Sequence, residues 1–145
     1  MITPLSNAWR GTVRELPIAI PDADALLNLE PEELAAKMLF LVRARREEMF
    51  HPRNLQNELW SSSGAGPQYP IGRQVEISLA VREAWAWLEA QGLIVPAEDS
   101  NGQNGWRVLS RRARRFESEA AFADYKVAQL LPKELLHPTI KAFPS

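Results

Sequence analysis

The fold class that this 145-residue chain predicts is a small α+β domain, and three observations predict it. The first is a pair of apolar stripes at helical spacing: Leu34, Met38, Leu41 and Val42 after Pro31, then Ile77, Val81, Ala84 and Leu88 after Arg73. The second is a pair of short strand-like runs, Leu93-Ile94-Val95 and Trp106-Arg107-Val108-Leu109, separated by the polar segment AEDSNGQNG. The third is their order, helices first and hairpin last, with an arginine-rich exit. That order predicts a winged helix-turn-helix core, with an extended N-terminal arm before it and a C-terminal helix after it.

The elements follow in turn. Pro4, Pro17 and Pro21 predict an extended arm, because proline fixes φ and removes a backbone donor. Ile18 and Ile20 are placed to lie against the core, and Asp22 or Asp24 can cap a short helix through Leu29. The first long helix starts at Pro31, where Glu32 and Glu33 complement its positive end, and is expected to run to about Phe50. A second, short helix fits Arg53 to Trp60, and residues 61–72 form a loop by composition. The third runs from about Arg73 to Gln91, with Gly92 as its C-terminal cap. Ser118 is the expected N-cap of a last helix carrying Phe122, Ala123, Val127, Leu130 and Leu131. The organisation is then an arm with a short helix (1–29), a winged-helix domain (30–117), and a C-terminal helix with a linker to an absent second domain (118–145).

Bulk chemistry excludes several function classes. There is no cysteine, so disulfides, thiolate metal sites and cysteine nucleophiles are excluded. No apolar run approaches the roughly 18 residues of a membrane span, and the N-terminus lacks a signal-peptide pattern. A cytoplasmic protein with no membrane partner is the expectation. His51 and His137 each precede proline outside any metal-ligand spacing, the acidic pairs point apart on their helices, and no GxSxG or phosphate loop occurs. The chain is expected to be no enzyme and to need no cofactor or metal. A net charge of -1 means that any nucleic-acid binding must come from a local patch.

One such patch is legible. Arg107, Arg111, Arg112, Arg114 and Arg115 are five arginines within nine residues, uninterrupted by an acid until Glu117. Guanidinium forks pair bidentately with phosphate, so this cluster is the first candidate for duplex DNA, with Arg73 and Arg82 as secondary contacts. The competing reading is a solvated surface paired with Glu98, Asp99, Glu117 and Glu119. A second group, Arg43, Arg45, Arg46 and Arg53, is interleaved with Glu47 and Glu48 and reads as a solvated helix face with local ion pairs.

The outward face of the third helix carries Val75, Leu79, Ala86 and Ala90, bordered by Glu83, Glu89 and Arg82. A base-reading helix presents Arg, Lys, Asn or Gln, so this face suits burial or protein contact better. Trp85 and Trp87 flank the buried stripe on opposite sides, where the first reading is that each packs its ring at the edge of the core; the alternative is that they border an interaction surface. Val75, Leu79, Trp85 and Trp87 are therefore the candidate surface for a protein partner or a homodimer.

The run EAWAWLEAQGLIVP, then NGWRVLSRRARRF, then LLPKELLHPTI is similar to the N-terminal part of a bacterial family of conserved hypothetical proteins, the Ymh type. The resemblance covers about residues 30 to 140. It implies a winged-helix-like first half and an all-helical second half opening at Leu136-His137-Pro138-Thr139-Ile140, and some relatives are grouped with abortive-infection or phage-defence proteins. The chain ends five residues after that motif, so the resemblance implies a fragment or a free-standing first half. It transfers no catalytic residues.

Overall fold

The computed structural model describes residues 15–45, 47–60 and 68–130. It is mostly helical with one small antiparallel sheet. The chain divides into two compact units, Met1–Arg115 and Phe116–Ser145.

In the first unit, α1 (Leu16–Ala19) and α2 (Ala23–Leu27) precede α3 (Pro31–Arg43), α4 (Pro52–Glu58) and α5 (Gln74–Ala90), the last entered through a 3-10 turn at Ile71–Arg73. Two strands, β1 (Ile94–Pro96) and β2 (Arg107–Leu109), flank a one-turn helix α6 (Asp99–Gln103), and α7 (Arg111–Arg115) closes the unit. The second unit contains α8 (Glu119–Leu130).

The core is built where α3 crosses α5, the most extensive contact between elements. Leu34, Met38 and Leu39 of α3 and Ile77, Val81, Ala84 and Leu88 of α5 are fully or almost fully buried. Burial of these stripes, rather than intrinsic propensity, holds helices of this length. The ends are set by local chemistry. Asp22 Oδ1 accepts the Asp24 N–H at 3.0 Å and caps α2. The Glu30 N–H donates to Glu33 Oε1 at 2.9 Å at the head of α3. At the tail of α5, Gly92 takes φ 69°. Its N–H donates to the Glu89 carbonyl at 3.0 Å and that of Leu93 to Leu88 at 2.9 Å. Those bonds form a Schellman stop, which needs the left-handed conformation glycine adopts without strain.

Chain direction then reverses through the hairpin. Ile94 pairs with Leu109, Val95 with Val108 and Pro96 with Arg107. Phe50 adds a third extended segment, because its N–H donates to Arg107 O at 2.9 Å and its carbonyl accepts the Arg107 N–H at 2.7 Å. The spatial order is Phe50, β2, β1.

Four expectations are corrected here. The first long helix stops at Arg43, not near Phe50, because Phe50 is drawn into the bridge with β2. The N-terminal arm is not extended throughout: Leu16–Ala19 is helical, with Pro17 in the first turn where a missing N–H costs no intrahelical bond. Ile20 packs inward while Ile18 is exposed. The hairpin turn is not a simple polar turn but holds α6. The arm is also tied to the core: the buried Tyr69 hydroxyl donates to Ile20 O at 2.7 Å, and burial holds its pKa well above the ordinary tyrosine value.

In the second unit Ser118 Oγ accepts the Ala121 N–H at 3.1 Å, the expected N-cap. Phe116, Phe122 and Tyr125 form a ring cluster, with centroids 4.9 Å apart for Phe116–Phe122 and 5.3 Å for Phe116–Tyr125. Val127, expected on an apolar face, is exposed. Pro4, Leu131 and the motif at 136–140 lie outside the described residues. Among the described residues no helix is long and apolar enough to cross a membrane.

Candidate functional site

The seven arginines expected to act together are distributed over three places. Four of them make α7. Ser110 Oγ accepts the Ala113 N–H at 3.2 Å and caps this short helix. Ala113 is 0% exposed and fixes its inward side. At about 100° per residue, Arg111, Arg112, Arg114 and Arg115 span an arc of about 160° centred opposite Ala113. All four are exposed. Arg114 Nε donates to Leu109 O at 3.3 Å, which tethers its base to β2. Among the described residues Arg111 and Arg115 have no carboxylate partner.

Arg107 and Arg82 lie elsewhere, beside a groove of about 380 Å³ between α4, α5 and β2. Arg107 is held in place: its Nε donates to Glu89 Oε2, and its Nη1 donates to Trp106 O at 3.1 Å and Gly102 O at 3.4 Å. Arg82, exposed on α5, lines the same groove. Arg53, assigned by sequence to a solvated helix face, lines the same groove with Gln56. His51 lines it as well. Its Nδ1 accepts the Arg53 N–H at 3.2 Å and its Nε2 donates to Asn104 O at 3.0 Å, so the neutral Nε2–H form satisfies both bonds. The ring stands edge-on to Trp106, with centroids 5.4 Å apart. Gly105 makes that approach possible: it takes φ 99°, and a Cβ there would lie 2.7 Å from His51 Nε2. His51 is thus a helix cap and a hairpin clasp.

Arg73 is in a third place. It bridges Glu76 at 2.8 Å and Asp24 at 2.9 Å, and these hydrogen bonds, Glu76 first, raise its pKa above the ordinary arginine value. Arg73 and Arg107 are therefore engaged within the fold. So is Arg45, which pairs with Glu47 at 2.6 Å beyond the end of α3 instead of along a helix face. Arg43 lies over the Phe40 ring, 4.8 Å from its centroid.

A second groove, of about 1040 Å³, runs past the hairpin turn, lined by Glu47, Glu48, Glu98 and Asp99, with Arg114 the one basic residue on its wall among the described residues. The hairpin tip is therefore acidic.

The candidate protein-contact surface is divided as well. Val75 is 80% exposed and Leu79 47%, so among the described residues nothing covers this part of the outward face of α5. Ile71, 72% exposed and one turn before Val75, extends that strip; sequence reading missed it because it falls in a segment with loop composition. Trp85 does not belong to the surface. It is 6% exposed, and its ring lies 5.8 Å from that of Phe50, centroid to centroid. Trp87 is half-buried and makes contacts of its own. Among the described residues no group of three histidines or carboxylates could hold a metal ion. No family model matches this chain, and no curated protein or solved structure matches it at a significant level.

Proposed function

We propose that the first unit is a non-enzymatic winged helix-turn-helix module that binds duplex DNA through the phosphate backbone, with the α7 arginines as the grip. The architectural part is supported by the order α3, Phe50 segment, α4, α5, hairpin, and by the bridge that sets Phe50 beside β2. The observation that carries the functional part is the arc of four exposed guanidinium groups opposite the buried Ala113, two of them without a carboxylate partner among the described residues. Such groups position a protein on a duplex without reading its sequence. The outward face of α5 offers Val75, Leu79 and Ala86 where base-reading side chains would stand, and the acidic hairpin tip repels phosphate. Binding is therefore weakly sequence-selective and centred on the base of the hairpin. A bacterial defence or regulatory setting is proposed from the Ymh-type resemblance alone.

The test is fluorescence anisotropy of a labelled random duplex at low salt. Three proteins are compared: wild type, the variant with Arg111, Arg112, Arg114 and Arg115 changed to Ala, and the variant with the same four changed to Lys. Loss in the Ala variant with substantial retention in the Lys variant is expected. Equal binding by wild type and the Ala variant would overturn the assignment to α7.

A second reading has its own observation. The exposed strip of Ile71, Val75 and Leu79 on one face of α5 suits a protein partner or a second copy of the chain. If wild type binds no duplex, loss of self-association in a Val75→Glu/Leu79→Glu variant, followed by sedimentation velocity, would support this reading instead.

A further inference from the structure

We infer that the groove between α4, α5 and β2 is a binding site for a phosphate ester, separate from α7. Its charge is the first reason. Three arginines (Arg53, Arg82, Arg107) against one glutamate (Glu89) leave two positive charges in a molecule whose net charge is -1. The surplus belongs to Arg53 and Arg82, since Arg107 and Glu89 neutralise each other. Neither has a carboxylate partner among the described residues. They stand on two different helices and line a shared groove, where both guanidinium groups can pair with one anionic ligand.

The second reason is independent of charge. Trp85, whose ring forms part of the groove wall, has its indole N–H buried without an acceptor. A buried donor without a partner is uncommon in a folded protein, and an acceptor supplied by a ligand against this wall would satisfy it. Gln56, one turn along α4 from Arg53, adds amide donors to the same wall.

Size and lining define the ligand class. A volume of about 380 Å³ far exceeds one phosphate and lies within the range of small-ligand sites. Trp85, Ala86, Ile94 and Pro52 give the remainder an apolar wall. The geometry fits a phosphate held by Arg53 and Arg82, with the organic part of the ester against the tryptophan. Two sources share that chemistry: a free mononucleotide, and a phosphodiester of a nucleic-acid strand.

The test is a ¹H–¹⁵N NMR titration that follows the Trp85 indole signal, assigned by its loss in Trp85→Phe. Inorganic phosphate, adenosine monophosphate and a short duplex are the probes, at matched ionic strength with chloride as control. Saturable movement with phosphate is expected, weakened at least tenfold in Arg53→Ala/Arg82→Ala and retained in the variant lacking the four α7 arginines. Both groove arginines are exposed, so the double variant should fold; its unchanged backbone spectrum is the check, and Arg82→Gln alone serves if it does not. Tighter binding of the mononucleotide than of phosphate assigns a free small ligand. Movement with duplex but no gain from the mononucleotide assigns a nucleic-acid strand. An unmoved Trp85 signal, or movement that chloride reproduces, would overturn the site, whatever α7 does in the anisotropy measurement.

Discussion

The two grooves beside the hairpin share β2 and oppose each other in charge. One is walled by Arg53, Arg82, Arg107 and Glu89, the other by Glu47, Glu48, Glu98, Asp99 and Arg114, so among the described residues the balance is two positive charges against three negative. The strand itself sorts them. Arg107 lines the first groove while its neighbours Trp106 and Val108 line the second, as the two-residue alternation of a strand requires. The difference teaches that a near-neutral chain can still carry a local field. Its net charge of -1 is a sum over surfaces of opposite sign, and an anion meets only one of them at a time.

The largest effect should come from removing what both grooves rest on. Phe50 is almost completely buried against Trp85, and its backbone exchanges two hydrogen bonds with Arg107. Phe50→Ala should cost about 3–5 kcal/mol in urea unfolding, the usual range for a buried phenylalanine. A loss below about 1 kcal/mol would mean that the hairpin stands without it.

Next is the turn that separates the grooves. A Cβ at Gly102 would fall 2.0 Å from Ala97 O, a backbone atom with little room to move. Gly102→Ala should therefore destabilise by about 1–3 kcal/mol, as over-packing does. Hydrogen exchange should show the loosening concentrated in residues 97–106. A uniform loss across the unit would contradict the local origin.

A smaller effect belongs to the clasp. His51→Ala removes the cap of α4 and the bond to Asn104 O, and should cost about 1–2 kcal/mol by thermal unfolding. His51→Asn should recover the cap alone, about half of that loss.

The smallest change in stability sharpens the charge comparison most. Glu89→Gln breaks a partly exposed pair with Arg107 and should cost less than about 1 kcal/mol. It leaves a third positive charge in the first groove, so phosphate affinity should rise by about two- to fivefold in the same NMR titration. Unchanged affinity would mean that the groove's charge does not act on the ligand.

Much of the fold is legible from local signals, and each exception has its own physical cause. The buried stripe of α5, the Gly92 stop and the caps at Asp22 and Ser118 are each decided within a few residues, and each is found where the sequence places it. The end of α3 is not. Residues 44–48 include good helix formers, but the pairing of Phe50 with Arg107, distant in sequence, sets the chain's path instead. Pro17 misleads for a different reason: proline forbids a helix interior but suits a first turn, and sequence alone does not say which applies. The Asn-Gly corners of the hairpin turn conceal α6, because five residues are too few to show periodicity.

The candidate site divides along the same line. The four arginines of α7 stay together because they are neighbours in sequence. Arg53 and Arg82 come together only when α4 packs beside α5, and the engagement of Arg73 by Asp24 depends on where α2 lies. Exposure of Val75 and Leu79 is likewise not decided by the helix alone, since an outward face is covered or bare according to what packs there.

The most direct test of the proposed function is the slope of log affinity for duplex DNA against log salt, from about 50 to 200 mM, for wild type and for the variant with the four α7 arginines changed to Ala. Each phosphate contact contributes about 0.9 to that slope. A steep wild-type dependence, reduced by about two to four contacts' worth in the variant, is the predicted result. Parallel slopes for the two proteins, or no wild-type binding at the lowest salt, would contradict it.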